Sequence, residues 1–537
     1  MTTKKKERKE RLSIYKSKTG NCLDSHLIKI ESSKTPIPLD IGGIEASILY
    51  IKKDPPKTSP SWTKLFVSRP EVEAVDFGEN CTVGAALVIS HVGEKFVLTF
   101  GSGFHLLQSE NIERDFGLRI TLNSVDPDKL RSLDKASYDH NPLNSRTQST
   151  REVDIFDLHI DSEMDILHAV TGASTVEVFG SQVTGRDALV LAVATDLKGI
   201  VEILEEALAR YNQKLPEKFE WVDNVSRVRD VELCQVLDLE LDDVLIKKDF
   251  ARLWLGEPEV VDWEGQIGYS FEMWAKSPRY PVLEIQHLCE HVAGKGYSLN
   301  CETLRSVTVH LNNNDYKDFK HWSAYRCLYA EMSLGGEEYV LRNGLWYKID
   351  NNFVSRVDTY LTAELFGYGH TLPIYKWDTE GEYNLNVSTL DGSYHLMDKK
   401  NIKIGGAYDK IEFCDLVKDW KDFIHVKYYR SSSALSHLFA QGCVAAEVFI
   451  RDQEFRVKVN SKLPIGLRLA DPKVMPDARA FEVVYAIATQ KKIPSQLPFF
   501  SKVTLKNSVK SLRSLGYSVK LCKIDIDPTI LMKKKYK

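Results

Sequence analysis

No two of the nine cysteines stand as a C-x-x-C pair. Scattered single thiols exclude a zinc ribbon and supply no disulfide framework, so a reducing cytoplasm is the expected setting. No apolar run approaches the ~20 residues that a bilayer span requires, and no membrane partner is expected. The opening MTTKKKERKERL leads into no apolar segment, so it is expected to be a solvated tail and not a secretory signal. The glycine-rich TFGSGFHLL, from Thr99, is not followed by Gly-Lys-Ser/Thr. It therefore lacks the parts of a P-loop and is expected to end a hairpin. No G-x-S-x-G elbow and no internal repeat occurs.

What is present is a composition ordinary for a soluble globular protein, 43% hydrophobic and 27% charged over 537 residues. At roughly 100–200 residues per domain, several domains are expected. The net charge of −4 hides an asymmetry. Residues 401–537 hold 25 Lys and Arg against 13 Asp and Glu, or +12, while the other 400 hold 46 against 62. A basic C-terminal segment on an acidic body predicts a polyanion, a nucleic acid, as partner at that end.

The predicted fold class is α+β and multidomain, with a C-terminal α/β domain on a mixed sheet. Three segments are expected: 1–215, 216–371 and 372–537. In the first, LSIYKSK and ASILYIKK read as strands and AALVISHVGEKFVLTF as a hairpin. DPDKLRSLDKASYDHNPLNSRTQSTREVD is polar and turn-rich and is expected to be a long surface loop. DLKGIVEILEEALARYNQ reads as a helix with Asp196 as its cap. In the second, helical patterns surround VSRVRDVELCQVLDLELDDVLIKK. Asn343-Gly344 in YVLRNGLWYKI marks a tight hairpin, and FVSRVDTYLTAELFG follows as a helix. In the third, EGEYN precedes strands YHLMD, KIEFCDLV and FIHVKYY. Helix ALSHLFAQGCVAAEVFI, strand FEVVYAIAT, helix VTLKNSVKSLRSLG and strand YSVKLCKI then follow.

The residues that carry chemistry lie in IEFCDLVKDWKDFIHVKYYRSSSALSHLFAQG. Asp415 closes one strand and His425-x-Lys427 lies in the next, on one face of the alternation. A tight turn through KDWKD brings them alongside. Phosphodiester hydrolysis needs a divalent metal held by carboxylates and a group that orients water. Asp415 is one expected ligand of Mg²⁺ or Mn²⁺, and Glu382 or Glu380 of EGEYN another. Lys427 is expected to position the water and His425 to act as a weak ligand or general acid–base. Ser432 and Ser433 open a helix whose N-terminus suits phosphate, and His437 and Gln441 lie four apart on one face of it. The alternative for these four is simple capping and an ordinary polar face.

The region resembles the restriction-endonuclease-like superfamily, the PD-(D/E)xK nucleases. The resemblance implies helix, three antiparallel strands, helix, strand, with Asp on the second strand and (D/E)-x-K on the third. Asp415 and Lys427 match those positions. His425 stands where that superfamily has Glu or Asp, and a neutral imidazole is a poorer Mg²⁺ ligand. Asp398 and Lys400 form a second, literal D-x-K one strand earlier. The whole chain is also similar to a sporadically distributed, uncharacterised bacterial family of about this length. The similarity is carried by LSIYK, FGLRITLN, NGLWYKID, EGEYN, IEFCDL, IHVK and SSALSHLFAQG. Its patchy distribution resembles that of phage-defence genes.

HLCEH, residues 287–291, matches H-x-x-E-H, the inverted zinc-protease pattern. Its apolar surroundings and the lack of a third ligand predict a helix without metal. The expected function is metal-dependent nuclease action, with the N-terminal domains meeting a protein partner or phage trigger. The alternatives are a catalytically degenerate nucleic-acid-binding protein and a defence-associated interaction scaffold.

Overall fold

The computed structural model describes the chain except residues 1–8, 19, 21, 54–56, 58, 60, 67–68, 71–75, 80, 138–142, 260, 262–265, 274–275, 314–317, 404–409, 431 and 536–537. Among the described residues no helix is long and apolar enough to cross a membrane. The chain divides into two compact units, 1–136 with 144–222, and 137–143 with 223–537. Inside the second unit, a five-stranded and a three-stranded sheet lie before residue 350 and a six-stranded sheet takes strands from 366 onward, with separate hydrophobic cores.

The first unit is built on a ten-stranded sheet. Its predicted hairpin spans Gly84–His91 and Glu94–Gly101, turning through Val92 and Gly93 at φ 53° and 70°. The predicted helix covers Gly199–Tyr211, and the Asp196 carboxylate accepts the N–H groups of Lys198 and Gly199, both at 3.0 Å. The expected surface loop is instead a pair of long antiparallel strands, Val125–Ser137 and Asn144–Val153. The first buries Leu130, Leu133 and Ala136. The second is the outermost strand of the sheet and is largely exposed, so its polarity reflects an edge position rather than a loop.

The second unit begins with a five-stranded antiparallel sheet. Its hairpin Glu337–Arg342 and Leu345–Ile349 turns at Asn343-Gly344, with φ 48° and 71°, as the sequence predicts. Helices Val231–Ile246 and Asn351–Glu364 follow the predicted patterns, capped by Asp230 and Asp350. HLCEH lies in helix Ile285–Gly294, where His287 stacks on Tyr280 and His291 on Phe271.

The C-terminal part runs α1 (Glu380–Leu390), β1 (Tyr394–Leu396), β2 (Leu416–Lys418), β3 (Asp422–Tyr428), α2 (Ser432–Arg451), β4 (Glu482–Ala488), α3 (Phe499–Ser514) and β5 (Ser518–Ile524). The sheet order is β1-β2-β3-β4-β5, with the short strand Phe366–Gly367 beyond β5. β2 is antiparallel to β1 and β3, while β3, β4 and β5 are parallel. The KDWKD turn carries Asp419 and Trp420 at φ 50° and 60°, the twist a tight hairpin needs. Both faces of the sheet are covered, which explains the unbroken apolar run of β4. Ile424, Val426 and Val484 pack in one core with Tyr383 and Val387 of α1. On the other face Phe423 stacks on Phe481 and meets Phe449 of α2. Gly442 lets α2 lie flat on β4, since a Cβ there would stand 2.6 Å from the Tyr485 ring.

Candidate metal centre and its lysine

α1 starts with a reciprocal cap. Thr379 Oγ1 accepts the Glu382 N–H at 3.2 Å, and the Glu382 carboxylate accepts the Thr379 N–H at 3.1 Å. Glu382 is thereby committed to the helix start and does not join the site. Glu380 and Asn384, one helical turn apart, share the face turned to the sheet. Glu380 lies 2.9 Å from the Lys427 ammonium, and its other oxygen accepts the Tyr428 N–H at 3.1 Å. Asn384 is fully buried and donates to Asp415 Oδ1 at 3.3 Å, while its own Oδ1 has no partner among the described residues.

Asp415 sits where β2 and β3 separate. Its N–H still donates to the Ile424 carbonyl at 2.9 Å, and its side chain then replaces the missing ladder partner, Oδ2 accepting the Val426 N–H at 2.6 Å. Its carbonyl accepts the N–H groups of Met397 and Asp398, which draws the end of β1 to the same point. Glu412 Oε1 accepts the Lys399 N–H at 2.5 Å. As a result Asp398, Glu412 and Asp415 each offer a carboxylate oxygen within 4.8 Å of the others.

The crowding is visible in the acid strengths. Burial pushes Asp415 well above the usual carboxylate range, opposed by the Val426 N–H and reinforced by the charges of Glu412, Asp398 and Glu380. Burial also raises Glu412, opposed by the Lys399 N–H and reinforced by Asp398. Three carboxyl groups sharing one site relieve this repulsion by holding protons or a cation.

Of the residues expected from sequence, Asp415, Lys427 and Glu380 gather here and Glu382 does not. His425 is 4% exposed, its ring 6.2 Å from that of Tyr485. Burial lowers its pKa to about 4, so it is neutral near pH 7 and unsuited to the acid–base role expected for it. It is not part of the carboxylate group among the described residues. His437 is exposed and Gln441 half-buried on α2, and neither is paired with these carboxylates among the described residues. The side chains of Ser432 and Ser433 lie outside the described residues. Lys400 turns to the Leu396 carbonyl at 2.5 Å, so the second D-x-K contributes Asp398 but not its lysine. Sequence reasoning missed Glu412 and Asn384. The only signal was position, Glu412 three residues before Asp415 and Asn384 four after Glu380.

The arrangement defines an α/β domain with a carboxylate cluster and a lysine at the fork of two strands. The chain belongs to DUF6119, a family of unknown function, whose match covers residues 12–525. No curated protein and no solved structure matches it.

Proposed function

We propose that this chain is a metal-dependent phosphodiesterase acting on nucleic acid. The convergence of Asp398, Glu412 and Asp415, with the Lys427 charge acting on Glu412, carries the reading. The donor set fits Mg²⁺ or Mn²⁺, since hard cations take carboxylate oxygen. The buried Asn384 amide, with one oxygen unpartnered, gives the cluster a further polar group to engage a bound water. Support also comes from the sheet. A helix, three antiparallel strands, a helix and a parallel strand is the order that the restriction-endonuclease-like resemblance implies.

A bound cation would lower the pKa of attacking water and offset charge on the phosphoryl oxygens. Asp398, Glu412 and Asp415 would hold it. The Val426 and Asn384 donors orient the Asp415 carboxylate. Lys427 would orient the nucleophile and meet the charge developing in the transition state. Glu380 holds the Lys427 ammonium in reach of that position. The basic C-terminal segment supplies attraction for the polyanion.

A second reading, nucleic-acid binding without cleavage, is favoured by the burial of His425 where a carboxylate would complete the motif. The test is cleavage of single- and double-stranded DNA and RNA, with and without Mg²⁺ and Mn²⁺, by wild type and Asp415→Asn. Cleavage by wild type alone is expected. Equal cleavage by both overturns the assignment, and binding without cleavage by either supports the second reading.

A further inference from the structure

We infer that Lys399 is the phosphate ligand of this site, its ammonium gripping a non-bridging oxygen of the phosphodiester next to the carboxylate cluster. The inference rests on the reading above and names the residue through which the site would hold its polyanion.

Three lysines surround the cluster, and two are committed. Lys427 is paired with Glu380 at 2.9 Å, and Lys400 donates to the Leu396 carbonyl at 2.5 Å. Lys399 is exposed, and its ammonium has no ion-pair partner among the described residues. Its backbone is nonetheless pinned. Its N–H is bound to Glu412, and its φ of 60° lies in the left-handed region that a residue with a side chain seldom adopts without cause. That conformation turns the side chain over the first turn of α1.

Gly381 makes the room. A Cβ there would stand 2.9 Å from the Lys399 ammonium nitrogen and 3.1 Å from Asp398 Oδ2. The ammonium and a carboxylate of the cluster therefore flank one point, above a glycine. A phosphodiester that offers one oxygen to a cation on the carboxylates has its other non-bridging oxygen directed to a neighbouring donor. An uncommitted ammonium held in that place is the group to receive it. A lysine with a purely structural task would be expected to close on the acidic cluster, yet no ion pair between Lys399 and those carboxylates occurs among the described residues.

The experiment measures binding of short fluorescent single-stranded and duplex DNA and RNA in Ca²⁺ over a salt series. It compares wild type, Lys399→Ala and Lys399→Arg, with Mn²⁺ affinity measured separately by calorimetry. Lys399→Ala should weaken nucleic-acid binding roughly tenfold and lower the slope of log affinity against log salt by about 1, and Lys399→Arg should restore both. Mn²⁺ affinity should stay the same or rise, because an ammonium near a cation site is removed. Wild-type affinity and slope in Lys399→Ala would overturn the inference. Loss of slope in a protein that takes up no Mn²⁺ would leave Lys399 assigned and overturn the metal reading. Failure of wild type to bind at low salt would overturn both.

Discussion

The Lys427 ammonium and the Glu380 carboxylate lie 2.9 Å apart, joining the C-terminal end of β3 to the first residue of α1. The pair is half-exposed, so solvent screening limits its contribution to stability to less than about 1 kcal/mol. Lys427→Met should leave the melting temperature nearly unchanged and lower turnover by about 10²–10³, as expected for loss of one transition-state donor. Glu380→Gln keeps an acceptor for the Tyr428 N–H and removes a negative charge. It should strengthen nucleic-acid binding, measured by fluorescence anisotropy. A large loss of stability in either variant would make the pair a structural brace instead.

Asn384→Leu removes the donor to Asp415 Oδ1 and also the buried unpartnered oxygen. The shapes are similar, so thermal stability should hold or improve. Mn²⁺ affinity should fall about 10–100-fold, the usual effect of losing a group that orients a ligand. Unchanged Mn²⁺ affinity by calorimetry would remove Asn384 from the site.

Gly381→Ala separates helix stability from function. Alanine favours a helix over glycine by about 0.5–1 kcal/mol. The groups it would displace, the ends of Lys399 and Asp398, are mobile side-chain tips. Melting temperature should therefore hold or rise while Mn²⁺ and nucleic-acid affinities both fall. Parallel loss of stability and affinity would contradict the seat described above Gly381.

Glu331, on strand Leu328–Leu334, is 4% exposed, and its carboxylate accepts the Phe500 N–H at the start of α3 at 3.4 Å. Burial pushes its pKa up to about 7, opposed by the Arg252 charge and by that N–H. Lys491, Tyr429, Glu338 and Asp249 share the surroundings. A carboxyl with a raised folded pKa adds stability that is full below its unfolded value, about 4.3, and lost as pH rises through about 7. Wild type should therefore lose stability between about pH 5 and 8 relative to Glu331→Gln, by on the order of 2 kcal/mol. Parallel denaturation midpoints for the two proteins across that range would show the shift to be absent.

The local elements were legible in the sequence wherever the chain itself sets them. Asn343-Gly344 demands a turn with two positive φ angles, and the turn is there. The alternation of FIHVKYY fixed which residues of β3 share a face, and the apolar run FEVVYAIAT announced a strand buried on both sides. Asp415 came alongside β3, its carboxylate on the Val426 N–H, because a short turn leaves antiparallel neighbours little choice. The polar stretch 126–154 reads as a loop because a sheet edge and a loop are equally polar; only pairing to a neighbouring strand distinguishes them. Tertiary structure alone decided the rest of the site. Whether Glu380 or Glu382 faces the sheet depends on where α1 begins, and the cap at Thr379 spends Glu382. His425 shares a face with Lys427 in the strand, yet α2 packs over that face and buries the imidazole, while Lys427 at the strand end reaches past it to α1. Asp398 and Glu412 join Asp415 through backbone bonds across β1 and β2, a closeness that residue spacing does not record, since it arises only where the strands part.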